Sequence, residues 1–546
     1  MDNADFIIVG GGSAGCVVAN RLTENPDTSV ILIEAGGDGK GFWIDMPVGL
    51  VKLLGDRDKD WCYLTEPDPS INDRTLFWNA GKMLGGSSGI NGLTYIRGQR
   101  DDYDGWERMG CTGWSFGEIF PYFLKGEHWE GEENFQSHGS SGTLSVAPLR
   151  GKHPLAGHFL QACENYGLPI LDDYCGGNID GAFLGVTNQH NGRRCSAAKA
   201  FIEPIRHRRN LKILTRTQVE RLTFDGKRAV GVQARGPSGQ LLKFTARKEV
   251  ILSGGATQSP TLLMRSGIGP AEHLREHGIE VVHDSAGVGQ NLMEHPNVSL
   301  TWRINKPSLT AELAGPFQMA RAFYQYLVRG NGAMTSSLGY AMAGLRTDPD
   351  ILHPDAFLIF SSFVMDPSKP SLTPGRANVY PLLKENAAAA VAWINRPYSR
   401  GQIRLRSALP QDYPVIDPAL LSDERDVMAL TRTLRIAERI FASPGLAELC
   451  VEQMYPKLET DDEWTDFIRA NASLTWHASG TCRMGSDPLA VVDPRLRVRG
   501  VEGLRVIDAS IMPVVPSTNT NAPTMMIGEK GAAMIAEDFA AARIAR

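Results

Sequence analysis

The stretch "DFIIVGGGSAGCVVANRL", residues 5–22, decides the fold. Phe6–Val9 is a short apolar run of the kind a buried parallel strand carries. Gly10, Gly12 and Gly15 then complete G-x-G-x-x-G around Ser13 and Ala14, and "AGCVVANRLTEN" continues with helix-forming, apolar-periodic sequence. A second apolar run, "SVILIEAG", ends in Glu34 and Ala35, with the acid about 20 residues beyond the last glycine. Strand, glycine turn, helix, strand and acid in this order predict a dinucleotide-binding unit. Its glycines give a tight turn, close backbone approach to a pyrophosphate and close helix–strand packing. The helix N-terminus offers partial positive charge to the phosphates, and Glu34 offers acceptors to the ribose hydroxyls. An acid at this place argues against a 2′-phosphate and hence against NADP, but leaves NAD and FAD open.

The 546 residues suffice for more than one structural unit. Composition is that of an ordinary globular protein, 42% hydrophobic and 21% charged, and the net charge of −5 is spread without a basic block, so no nucleic-acid partner is expected. The eight cysteines form no C-x-x-C pair, which predicts reduced, packed thiols. No basic segment precedes an apolar core at the N-terminus, and no apolar run is long enough to span a bilayer. The expectation is an untargeted cytoplasmic protein without a transmembrane segment; the sequence says nothing of oligomeric state.

Four further stretches carry chemistry. "GKMLGGSSGINGLTYIRGQRDDYDGW", residues 81–106, places Gly85, Gly86, Ser87, Asn91 and Gly92 in a second small-residue segment, a further nest of backbone N–H groups. "GATQSPTLLMRSGIGP" spans 255–270, "HASGTCRMG" 477–485, and "VIDASIMPVVPSTNTNAPTMMIGEKGA" 506–532. A metal reading of His477 and Cys482 is poor, since no second pair stands at ligand spacing. Cys482 also lacks a base and orienter of its own, so it reads as a packed residue.

Taken together, these four stretches resemble the signatures of the glucose–methanol–choline (GMC) family of FAD-dependent oxidoreductases, in the expected order from about residue 4 to residue 540. The resemblance implies an α/β fold: a discontinuous Rossmann-like FAD domain with an α+β substrate domain built on an antiparallel sheet. The FAD domain would take residues 1–155, 190–300 and 470–546, and the substrate domain 300–470, where the glycine fingerprints vanish and runs such as "DAFLIFSSFVMD" appear. "GVGQNLMEHP", residues 287–296, is similar to the segment that returns the chain to the cofactor.

The resemblance also implies roles. His477 matches the active-site histidine that takes the hydroxyl proton while hydride passes to flavin N5, a task suited to a neutral imidazole. The partner position falls on Asn521, with Asn519 its competitor two residues away. Trp476 would face the substrate. Val219 matches the backbone contact to adenine, Asp508 and Ala509 the diphosphate–ribityl region, and Pro523 and Thr524 the pyrimidine edge. Ile90 stands where some relatives carry the histidine that bonds FAD covalently, implying non-covalent FAD.

The implied reaction is oxidation of a primary alcohol, aromatic or otherwise uncharged, to its aldehyde, with O2 or a quinone-like compound as acceptor. A choline or sugar-alcohol dehydrogenase and an FAD-containing hydroxynitrile lyase are the alternatives. An NAD-dependent dehydrogenase would leave the later signatures unexplained.

Overall fold

The computed structural model of the chain describes residues 2–134, 136–336, 340–364, 366 and 382–544. Met365, within the run "DAFLIFSSFVMD", lies outside them. Two sheets organise these residues. The first holds β1 (Asn3–Val9), β2 (Val30–Ile33), β3 (Leu211–Leu214), β4 (Gln218–Asp225), β5 (Arg228–Arg235) and β6 (Leu241–Leu252). Their order is β3-β2-β1-β6-β5-β4, with Leu504–Val506 adding parallel to β6. The strands β3, β2, β1 and β6 run parallel, while β4–β6 form an antiparallel meander. The apolar runs Phe6–Val9 of β1 and Val30–Ile33 of β2 are buried throughout, as strands covered on both faces are.

Helix α1 (Ser13–Leu22) leaves the tip of β1 and packs against the long C-terminal helix α5 (Asn521–Ile544). The approach is close: a Cβ on Gly528 would lie 3.0 Å from the Ala14 carbonyl oxygen. Helix α2 (Gly255–Arg265) follows β6 across another glycine turn.

The second sheet is antiparallel. It is built from β7 (Pro296–Ile304), β8 (Ala341–Leu345), β9 (Ala356–Ser361), β10 (Ala387–Ile394) and β11 (Cys450–Gln453), in the order β8-β9-β10-β7-β11. A short strand β12 (Ser473–Leu474) pairs with the start of β7. Helix α3 (Pro316–Arg329) lies after β7, and α4 (Glu424–Phe441) packs on the sheet over the alanine-rich strand β10. A Rossmann-type parallel sheet and a separate antiparallel sheet are the fold class expected from the sequence.

Candidate functional site

One cavity runs along the tips of the first sheet and ends beneath the second. At its start the three fingerprint glycines divide the work. Gly10 has φ +100°, and a Cβ there would lie 2.4 Å from the Ser253 carbonyl oxygen. On Gly15 it would lie 2.0 Å from the Gly10 carbonyl oxygen, which fixes the helix against the turn. On Gly12 the nearest protein atom would be 3.9 Å away, so that glycine keeps room for a ligand and not for the protein. The second nest docks on the first: the Gly85 N–H donates to the Gly11 carbonyl at 2.6 Å.

Glu34 and Ala35 line the cavity beside Val219. The Glu34 carboxylate accepts from the N–H groups of Gly11 and Gly36, each at 2.8 Å, and burial pushes its carboxyl up to about 7. Asp508 accepts from the Gly255 N–H at 2.8 Å and the Ser259 hydroxyl at 2.6 Å, tying the start of α2 to the segment that contains Ala509. Gly10, Gly12, Ser13, Ala14, Gly86, Ser87, Asn91, Gly92, Ala509 and Thr524 all line the same cavity. Gly15 and Gly85 stand behind its wall, and Pro523 is buried in the first turn of α5.

The far end holds His477. Strands β7 and β12 pair antiparallel with Pro296 opposite Leu474, so Glu294 and His295, entering β7, emerge beside Thr475–His477, leaving β12. Glu294 accepts from the backbone N–H of both His295 and His477 at 2.9 Å and from the Thr475 hydroxyl at 2.7 Å. Trp476 has φ +60°, an uncommon conformation for a bulky residue. Its indole donates to the Phe77 carbonyl at 3.2 Å, and its ring lines the cavity.

His295 Nδ1 lies 2.9 Å from His477 Nδ1, and His295 Nε2 lies 2.9 Å from the Asn395 carbonyl. A carbonyl only accepts, so His295 carries its proton on Nε2 and its Nδ1 accepts. His477 must then carry its proton on Nδ1, and its Nε2 lone pair, on the cavity side, accepts from Asn519 Nδ2. Burial, and secondarily the neighbouring His295, push His477 well below the usual imidazole range; burial brings His295 down to about 4. Both rings are therefore neutral at pH 7.

Asn519, and not Asn521, completes this end. Asn519 Nδ2 is 2.9 Å from His477 Nε2, whereas the Asn521 side chain accepts from the Ser13 hydroxyl at 2.8 Å, where α5 meets α1. The physical reason is the start of α5: Asn521 is its first residue and faces α1, while Asn519 still belongs to the preceding loop. Asp102, from the second glycine stretch, secures that loop by accepting from the Ser517 N–H at 2.9 Å and the Ser517 hydroxyl at 2.6 Å.

Three further residues were not singled out in the sequence. Glu294 and His295 lie within "GVGQNLMEHP", but nothing local shows which residues of that stretch turn towards His477. Arg194, fully buried, donates to the carbonyls of Ile44 and Ser88 and to Asn91 Oδ1, holding the second nest in place.

Cys482 is fully buried and outside the cavity lining, with its thiol pushed up by desolvation. Elsewhere, His138, Asp173 and Cys175 converge, but His138 sits between two carboxylates, 3.0 Å from Glu127 and 3.6 Å from Asp173. Its pKa is raised against the cost of burial by hydrogen bonds to Asp173 and Glu127, and Arg97 pairs with Glu127, so the group reads as a closed ion-pair network.

A cavity with a buried carboxylate at its glycine turn, two glycine nests and a neutral histidine at its far end suits a flavin dinucleotide. The GMC oxidoreductase N-terminal family profile matches residues 4–297 and the C-terminal profile residues 397–528. The chain is 39% identical to human mitochondrial choline dehydrogenase over 98% of its own length and 90% of that protein. It is 38% identical to the alcohol dehydrogenase [acceptor] of Pseudomonas putida, over 97% and 95%. Among solved structures, the pyridoxine 4-oxidase of Mesorbium loti superposes with a TM-score of 0.87 at 31% identity, covering 98% of this chain and 99% of that one. With motif order, fold and whole-length likeness in agreement, the chain belongs to the GMC oxidoreductases, a family of FAD-dependent enzymes acting on alcohols.

Proposed function

We propose that the protein oxidises a primary, uncharged alcohol to the aldehyde, with His477 as proton acceptor and FAD held without a covalent bond. The observation that carries this reading is the pair formed by His477 Nε2 and Asn519 Nδ2, 2.9 Å apart at the end of the cavity. An alcohol oxygen entering beside this pair displaces the Asn519 amide from the Nε2 lone pair, donates its proton there, and accepts from the amide in turn. The amide stabilises the developing alkoxide without adding a charge. His295 keeps the His477 lone pair facing the substrate, and Trp476 bounds the space beside it. When bound, FAD supplies the hydride acceptor at the carbinol carbon. Glu34 and Val219 would hold the adenosine end, and Gly12, Ser13, Asp508 and Ala509 the diphosphate and ribityl chain. Thr524, in the first turn of α5, would lie along the flavin edge.

Substrate charge is argued from the lining. Among the described residues of the cavity the only carboxylates are Glu34 and Asp508, both engaged by backbone N–H groups of the glycine turns. Neither is free to pair with a cation beside His477, which disfavours choline despite the likeness to a choline dehydrogenase. Ile90 lines the cavity and has no atom that could bond the flavin.

The test is an anaerobic panel of aromatic, aliphatic and sugar alcohols and choline, followed by visible absorbance of the holoenzyme. Bleaching by uncharged primary alcohols, and release of free FAD on acid precipitation, are expected. Bleaching by choline alone, flavin that stays with the precipitate, or a yellow protein that no alcohol bleaches would each overturn the corresponding part. Re-oxidation by O2 against a quinone then identifies the acceptor.

A further inference from the structure

Helix α3 is apolar on both faces. Its inner side, Met319, Ala322, Phe323 and Tyr326, packs inward, as expected of a surface helix. Its outer side should then be polar, yet Phe317 is 79%, Val328 65%, Leu327 57% and Tyr324 55% exposed. Two more aromatics extend the patch: Phe42 lies 6.2 Å from the Phe323 ring and 6.4 Å from Tyr326, and Trp43 stands beside it. Both are more than one-third exposed. Scattered exposed apolar side chains need no explanation, but four large ones on one face of a single helix, with two more beside it, do.

The charges around this patch are mostly cationic, on a protein whose net charge is −5. The helix carries Arg321 and Arg329 and no acid. Arg150 and Lys152 flank Gly151, which abuts Gly332 just past the helix end. Arg193 adjoins Tyr326 and, like Arg150 and Lys152, is exposed. None of these five cations has a carboxylate within ion-pair distance among the described residues. Of the nearby carboxylates, Asp45 is paired with Lys199 at 3.5 Å, and the five cations outnumber the remaining two, Glu312 and Glu130.

We propose that α3, with Phe42 and Trp43, seats the protein on an anionic phospholipid surface. The helix lies in the plane of the interface, its apolar outer face in the acyl boundary and the five cations among the headgroups. Tyr324 and Trp43 suit this boundary, each pairing an apolar ring with a polar atom. No helix of the described residues is long and apolar enough to cross a membrane, so the contact is interfacial. The segment that presents Phe42 and Trp43 continues to Leu54, which lines the cavity.

The test is co-sedimentation of the holoenzyme with vesicles of phosphatidylcholine alone or mixed with phosphatidylglycerol. We expect at least a tenfold preference for the anionic vesicles that fades as salt is raised. The double variant Phe317→Asp/Leu327→Asp should lose at least tenfold in binding, and Arg150→Glu/Lys152→Glu/Arg329→Glu should abolish the anionic preference. Both keep flavin absorbance and bleaching by a soluble alcohol, since none of these residues lines the cavity. Wild-type protein that stays in the supernatant with anionic vesicles overturns the proposal. So does a concentration-dependent dimer that Phe317→Asp/Leu327→Asp dissolves, because a second copy would then be what covers the patch.

Discussion

As the proposed proton acceptor, His477 must be neutral and must turn its Nε2 lone pair to the alcohol. Burial secures the first condition and His295 the second, so exchanging His295 separates the two. His295→Gln removes the ring that fixes the proton on His477 Nδ1 and also removes a neighbour whose charge disfavours protonation of His477. Flavin reduction should slow by less than the about 10²–10⁴-fold expected of His477→Ala. The acid limb of its pH profile should move to higher pH, because a raised pKa leaves His477 protonated over a wider acid range. An unchanged acid limb would mean that His295 is only packing. The same assay settles the two asparagines: Asn519→Ala should lose flavin reduction while keeping FAD, and Asn521→Ala should weaken FAD retention through its contact with Ser13. The sequence left these two residues in competition because only the starting point of α5, set by its packing on α1, decides which of them reaches His477.

Among the elements, the β1–turn–α1 unit was the most legible, since each of its constraints is local. Spacing alone assigns the glycines, and the structure gives each a separate duty that a single methyl group can probe. Gly15→Ala places a Cβ 2.0 Å from the Gly10 carbonyl oxygen, a clash of backbone with backbone that no rotamer relieves. It should destabilise the apoprotein and abolish flavin retention together. Gly12→Ala meets nothing in the protein closer than 3.9 Å, so the apoprotein should melt as wild-type does while FAD affinity falls at least tenfold. Thermal unfolding of apoproteins with FAD titration tells them apart; a destabilised Gly12→Ala apoprotein would show that the turn, and not the ligand, needs that glycine. Antiparallel elements of the second sheet were legible only as a class. Their alternation is blurred where strands are covered on both faces, as in the alanine-rich β10.

At the scale of the whole molecule, the site exists because two sheets meet, and that meeting is where sequence reading stopped. The register of β7 against β12 joins residues 182 positions apart, bringing His295 to His477, and no local pattern encodes such a pairing. The junction is also where buried titratable groups accumulate, and this gives the fold a pH signature. Burial raises Glu294 to about 7, so the folded state favours its neutral form, while the unfolded chain ionises from about 4.5 upward. Its contribution to stability therefore falls as pH rises from about 4.5 to about 7 and is level beyond, a loss on the order of 3 kcal/mol. His295 and His477, pushed down by the same burial, act in the opposite sense: below about 6.5 the unfolded chain binds protons that the folded state refuses, and stability falls with falling pH. The two slopes oppose each other in the wild type, so the informative quantity is a difference. Glu294→Gln keeps the acceptor that holds Thr475, His295 and His477 but cannot ionise. Relative to wild type, its apparent Tm should rise as pH increases from about 4.5 to 7, by on the order of 2–3 °C, and then hold steady. A difference that stays flat across that range would show that Glu294 ionises at its ordinary pKa and that the junction is wetter than its packing implies.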